Sequence, residues 1–119
     1  MSRGDAEGLD DVLAAVSAIR RAERLAKDVG SDACDEVVVA AIQYWVFVIG
    51  EAVKALSTET TARQPQVPWS DIARMRDLIG HHYYKLDAQI VRATIGAPLA
   101  QLEAACVELR EESGGGSRA

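Results

Sequence analysis

The chain has 119 residues, a net charge of −5 at neutral pH and 49% hydrophobic residues. That length is one domain's worth and buries roughly two-thirds of its unfolded surface, enough for a core without a disulfide or a structural metal. The acidic balance argues against a protein that coats nucleic acid by bulk electrostatics, while leaving room for a local cationic pocket that holds one or two phosphates.

Aromatic residues make up 5% of the chain and there is one Phe, so the core must be built from Leu, Ile, Val and Ala, as suits helix packing. The first segment, Met1 to Asp11, carries Asp5, Glu7, Asp10 and Asp11 and no apolar run, which reads as no signal peptide. The two cysteines, Cys34 and Cys106, form no CxxC pair and no metal-ligand spacing. Each falls in an apolar helical pattern, as expected of buried, reduced thiols in a cytoplasmic protein.

From Asp5 to Lys27 the apolar residues Leu9, Val12, Leu13, Val16, Ile19 and Leu25 recur at helical spacing. Acids gather at the start of this helix and Arg20, Arg21, Arg24 and Lys27 near its end, both favourable to its dipole. Gly30 ends it, and Ser31 or Asp32 caps the next. A second helix is predicted from about Ala33 to Leu56. Its β-branched residues would also suit a strand, but the run Val37–Ile49 is longer than a typical strand of about five or six residues. It also falls short of the about 20 apolar residues that a membrane span needs. A helix apolar on every side must be covered on every side, which points to a self-associating surface and most simply a twofold dimer.

Residues 57–68 read as a polar connection containing Pro65 and Pro68. Ser70 is the expected N-cap of a third helix, whose buried stripe is Ile72, Met75, Leu78 and Ile79. Gly80 is expected to loosen or end it. A last helix runs from Asp87 to about Glu112 with a break near Gly96 and Pro98. The division is one helical domain over 1–112 and a disordered tail over 113–119.

Both histidines, His81 and His82, stand side by side between Arg74 and Arg76 upstream and Tyr83, Tyr84 and Lys85 downstream. An acidic chain has thus gathered much of its titratable and cationic chemistry into one short stretch. A guanidinium binds phosphate oxygens in a fork, and an imidazole near its pKa can take or give a proton. Arg76 stabilising transition-state charge and His81 moving the proton of a ribose 2′-hydroxyl would together cleave RNA without a metal. His81 and His82 point in different directions on a helix, so they are poor joint metal ligands, and no metal or cofactor is expected. Arg76 and Tyr83 share a helix face, about 20° apart, whereas Arg76 and His81 are about 140° apart. Convergence of Arg76 and His81 needs the reach of arginine, a break at Gly80, or a second copy of the motif. Structural readings stand beside these: Tyr83 as a core or interface aromatic, Trp69 as a packing anchor under the loop, and Glu51 as a bond to the motif helix.

The spacing Arg76-x4-His81-x-Tyr83 resembles the motif of HEPN-domain proteins. Ile49-Gly50-Glu51-Ala52, Val67-Pro68-Trp69 and Ile72-Ala73-Arg74-Met75-Arg76-Asp77 are similar to the HepT branch in the same order, so that the resemblance spans about Asp11 to Arg110. It implies an all-α, HEPN-like antiparallel bundle of four to five helices that forms a homodimer, with the motif at the cleft between protomers. It further implies the toxin of a type VII-like toxin–antitoxin pair: a metal-independent endoribonuclease with Arg76 and His81 as the catalytic pair. The partner would be an MntA-like nucleotidyltransferase antitoxin that adenylylates Tyr83 and so blocks RNA. His82 has a supporting place. Asp77 stands where this family often has Asn; it can accept hydrogen bonds and orient a histidine, but adds negative charge beside an RNA phosphate. The alternative is a non-catalytic helical module that binds a nucleotidyltransferase or nucleotides.

Overall fold

A computed structural model describes residues 2–29, 32–82 and 97–117, with side chains at 2–28, 36–77 and 98–112. The described elements are all helical: α1 (Arg3–Val29), α2 (Asp32–Ala55), α3 (Thr58–Ala62), α4 (Trp69–His82) and α5 (Ala97–Ser117). Helix α1 packs between α2 and α5, and α2 packs between α1 and α4. The fold is the all-α bundle expected from the spacing of apolar residues.

The core is aliphatic. Leu9, Val12, Val16 and Ile19 of α1 are fully buried against Val38, Ile42, Val46, Ile49 and Val53 of α2 and Leu99, Leu102, Cys106 and Leu109 of α5. Each set recurs every three or four residues, which places it on one helix face. Ion pairs tie the rim, with Arg110 to Asp10 at 2.8 Å and Arg20 to Glu103 at 2.8 Å. These half-exposed pairs contribute little compared with the apolar contacts beneath them.

Helix α1 begins earlier than its apolar stripe because Ser2 caps it, its Oγ accepting from the Asp5 N–H at 3.1 Å. Asp5 is itself buried at 4% exposure. Its carboxylate accepts from the Ser57 N–H at 3.0 Å, the Ser57 hydroxyl at 2.5 Å and the Thr60 hydroxyl at 2.6 Å. This bond set joins the start of α1 to the corner after α2. It also supports α3, a short helix inside the segment read as a polar connection. Ser57 caps it by accepting from the Thr60 N–H at 3.2 Å.

Two further expectations are corrected. Ser70 is not the N-cap of α4, because the helix starts at Trp69 and the Pro68 carbonyl accepts from the Ile72 N–H at 3.1 Å. Trp69 sets that start as the expected anchor: it packs on the core while its Nε1 donates to the Gln64 carbonyl at 3.0 Å. Gly80 does not end α4, which stays helical to His82; a glycine inside a helix costs only about 1 kcal/mol. Pro98 lies in the first turn of α5, where its missing N–H would have no helical partner in any case. The expected last helix begins at Asp87; its part before Ala97, with the Gly96 side of the expected break, lies outside the described residues, and α5 extends past the expected end at about Glu112 to Ser117.

Helix α2 is longer than the apolar run that suggested it. Glu36–Ala55 has the length and composition to cross a membrane, so length alone does not exclude a span. Its buried stripe against α1 and the charged Glu51 bonded to α4 are the marks of a core helix. Part of its surface is uncovered, since Val37 is 69% and Tyr44 59% exposed.

Candidate functional site

The site forms where α4 crosses α2. Gly50 of α2 faces Arg76 of α4 so closely that a Cβ on Gly50 would lie 2.5 Å from the Arg76 Cβ and 3.1 Å from its backbone nitrogen. Only glycine permits this approach, because the obstructing atoms are backbone and Cβ rather than the end of a flexible chain. The approach brings the neighbours of Gly50 onto the Arg76 side chain. The Arg76 Nε donates to Glu51 Oε1, and the guanidinium carbon lies 5.5 Å from the centre of the Phe47 ring. Nη1 donates to Asp77 Oδ1 at 2.8 Å.

Phe47, Gly50 and Glu51 stand at i, i+3 and i+4, so one face of α2 holds a single arginine of α4. The hydrogen bonds from Asp77 and then Glu51 raise the Arg76 pKa above its already high ordinary value, so its charge is permanent. The Arg76 side chain is 33% exposed and those of Glu51 and Asp77 46%, which leaves the site reachable from water. One positive and two negative charges meet here, so the described part of the site is not a positive pocket.

Glu51 makes the bond to the motif helix that its sequence context suggested. Arg74 does not join the site; it pairs with Asp71 at 3.1 Å on the exposed side of α4. His81 and His82 lie in the last turn of α4, with side chains outside those described. Tyr83, Tyr84 and Lys85 lie outside the described residues. Because α4 is regular through Gly80, a helix break cannot bring Arg76 and His81 together. Of the three routes to convergence, the reach of arginine and a second copy of the motif are left. Among the described residues no three His, Cys, Asp or Glu side chains converge as a metal site would require.

Phe47 was missed at the sequence level, where it was one apolar residue among many. The signal that could have found it was the Gly50-Glu51 pair inside an apolar helix. A glycine there implies close approach and an acid implies a buried or half-buried partner, and Phe47 lies one turn before both. A groove of about 420 Å3 between α1 and α2 adjoins this seat and shares Phe47 and Glu51 with it. Glu7 and Asp11 also line it, so its walls do not suit a phosphate.

Comparisons with known proteins show the family of the chain. Residues 15–109 match the family described as Ribonuclease HepT-like. A protein of Thermococcus cleftensis named "Probable ribonuclease HepT" is 26% identical over 113 residues, covering 93% of this chain and 100% of that protein. A protein of Caldanaerobacter subterraneus named as a candidate RNase is 35% identical over 78 residues, covering 66% of this chain and 70% of that protein. Another candidate RNase, from Methanocaldococcus jannaschii, is 48% identical over 44 residues, which is 37% of this chain and 36% of that protein. No solved structure matches the chain significantly.

Proposed function

This chain belongs to the HepT-like ribonuclease family, and from that premise we propose that it is a metal-independent endoribonuclease, the toxin of a toxin–antitoxin pair. The observation that carries the reading is Arg76: a permanently charged, reachable guanidinium seated by α2 on the same helix as His81. In the proposed reaction His81 takes the proton of a ribose 2′-hydroxyl. The 2′-oxygen bonds to the adjacent phosphorus while the bond from phosphorus to the 5′-oxygen breaks. The leaving oxygen takes a proton from an imidazolium, and the products are a 2′,3′-cyclic phosphate and a 5′-hydroxyl. Arg76 stabilises the added charge on the phosphoryl oxygens, which typically contributes about 10²- to 10³-fold. His81 contributes as general acid–base, typically about 10²- to 10⁴-fold. Asp77 and His82 support the pair.

On a regular α4 the two groups of one chain point about 140° apart. A homodimer in which His81 of one copy meets Arg76 of another resolves this, and the exposed Val37 and Tyr44 of α2 offer apolar surface for association. The proposed antitoxin is an MntA-like nucleotidyltransferase. It moves an adenylyl group from ATP to the Tyr83 oxygen, releases pyrophosphate, and sets a negative phosphate near Arg76 in place of RNA.

The experiment is cleavage of RNA in the presence of a chelator by the parent, Arg76→Ala and His81→Ala. Cleavage by the parent alone is expected, and equal cleavage by all three removes these roles. The two carboxylates on Arg76 favour a second reading, a non-catalytic module that binds its nucleotidyltransferase partner. Tight partner binding with neither RNA cleavage nor growth inhibition selects it.

A further inference from the structure

Two carboxylates on one arginine pose a problem for phosphate binding. A phosphate reaching Arg76 meets the repulsion of the two carboxylates already bonded to it. The two acids are not equivalent. Asp77 is the next residue of α4 and travels with Arg76, whereas Glu51 belongs to α2 and ties the guanidinium to another helix. Glu51 takes Nε, the nitrogen nearest the main chain, and Phe47 lies beneath the guanidinium carbon. A guanidinium has five N–H donors, so these two bonds leave three outside them, two on Nη2 and one on Nη1. The end-on edge formed by Nη1 and Nη2 is the one that suits a bidentate phosphate.

We propose that Glu51 is a positioning residue for Arg76: it holds Nε over α2 so that the Nη1–Nη2 edge meets the RNA phosphate, and its charge sets how tightly that phosphate binds. This rests on the ribonuclease reading above. Substrate binding then uses the Nη1 and Nη2 N–H groups that lie outside these two bonds, while the Glu51 bond persists. Binding is weaker than the arginine alone would give, and the guanidinium is in place when charge develops on the phosphoryl oxygens. The Glu51 carboxylate acts through Arg76 and touches no reacting atom.

The test compares the full chain with Glu51→Gln and Glu51→Ala. Three quantities are read: affinity for an uncleavable 2′-O-methyl oligonucleotide, kcat and KM on the matching RNA, and the melting temperature. Glu51→Gln keeps an acceptor for Nε and removes the charge. It is expected to bind the uncleavable strand about fivefold tighter, the upper end of what an exposed ion pair is worth, with a matching fall in KM and an unchanged melting temperature. Glu51→Ala frees the arginine and is expected to lower kcat about 10²-fold, as displacement of a catalytic group typically does. Restored kcat in Glu51→Gln then separates positioning from folding. Equal affinity in all three proteins overturns the inference, and so does a loss in Glu51→Ala that follows the melting temperature and is not recovered in Glu51→Gln. If the parent does not cleave RNA, the ribonuclease reading falls, while the order of affinities for the uncleavable strand still decides the role of Glu51.

Discussion

Gly50 leaves no room for a side chain against Arg76: a Cβ on Gly50 would stand 2.5 Å from the Cβ of Arg76 and 3.1 Å from its backbone nitrogen. The contact sets the distance between α2 and α4 at the site, and the hold of Glu51 and Phe47 on the guanidinium depends on it. Two effects of Gly50→Ala oppose each other. Alanine improves helix propensity by about 1 kcal/mol. Overpacking against main-chain atoms costs about 1–3 kcal/mol, because α4 must shift as a unit. We expect the second to win, with a melting temperature lower by several degrees at about 4–8 °C per kcal/mol. Thermal unfolding of the variant checks it, and an equal or higher melting temperature would show that α4 moves away freely.

The Asp5 network predicts a particular acid response. Burial raises the pKa of this carboxyl, but hydrogen bonds from the Ser57 and Thr60 hydroxyls and the Ser57 N–H outweigh it and hold the value below the ordinary 3.8. A depressed folded pKa gives stability that is complete above the unfolded value and lost as pH falls through the folded one. Asp5→Ala leaves buried donors unpaired and is expected to cost about 2 kcal/mol at neutral pH. Urea unfolding of parent and variant across pH measures the gap between them. The gap should hold above about pH 4 and close in more acid solution. A gap independent of pH would mean that the hydroxyls, not the carboxylate charge, carry the effect.

Cys106 should be chemically silent in the folded protein. It is fully buried in the core, and burial pushes its thiol up to about 12. Thiolate is the reactive form, so almost none exists at pH 8. Iodoacetamide followed by peptide mapping is expected to leave the Cys106 peptide unlabelled until denaturant is added. Rapid labelling in native buffer would contradict the packing of α5 on α1.

The proposed antitoxin chemistry makes a mass prediction. Co-expression with a cognate nucleotidyltransferase should add whole adenylyl groups to the parent and none to Tyr83→Phe. RNA cleavage by the modified parent should fall, since the added phosphate competes for Arg76. An unmodified parent in the presence of active transferase would leave Tyr83 a structural aromatic.

Much of the bundle was legible from periodicity, because burying one face of a helix imposes its spacing on the sequence. Leu9, Val12, Val16 and Ile19 announce the inner face of α1, and Leu99, Leu102, Cys106 and Leu109 that of α5. The short helix α3 was not legible. It exists because Asp5, 52 residues before Ser57, supplies an acceptor for that corner, and such a partner leaves no local pattern. The start of α4 was misread for the same kind of reason: the pull on Trp69 comes from the Gln64 carbonyl and the core, not from a capping side chain.

By itself the sequence determined the helical class, the aliphatic core and the clustering of Arg76, His81 and Tyr83, since all three are properties of spacing along one chain. Only the tertiary structure decided that Arg76 is the residue of the motif helix that Glu51 and Phe47 hold. Glu51 lies 25 residues away in sequence and meets the arginine because Gly50 lets two helices touch. It also decided that α4 remains regular through Gly80. Helix propensity at a glycine is a weak preference of about 1 kcal/mol, which packing readily overrides.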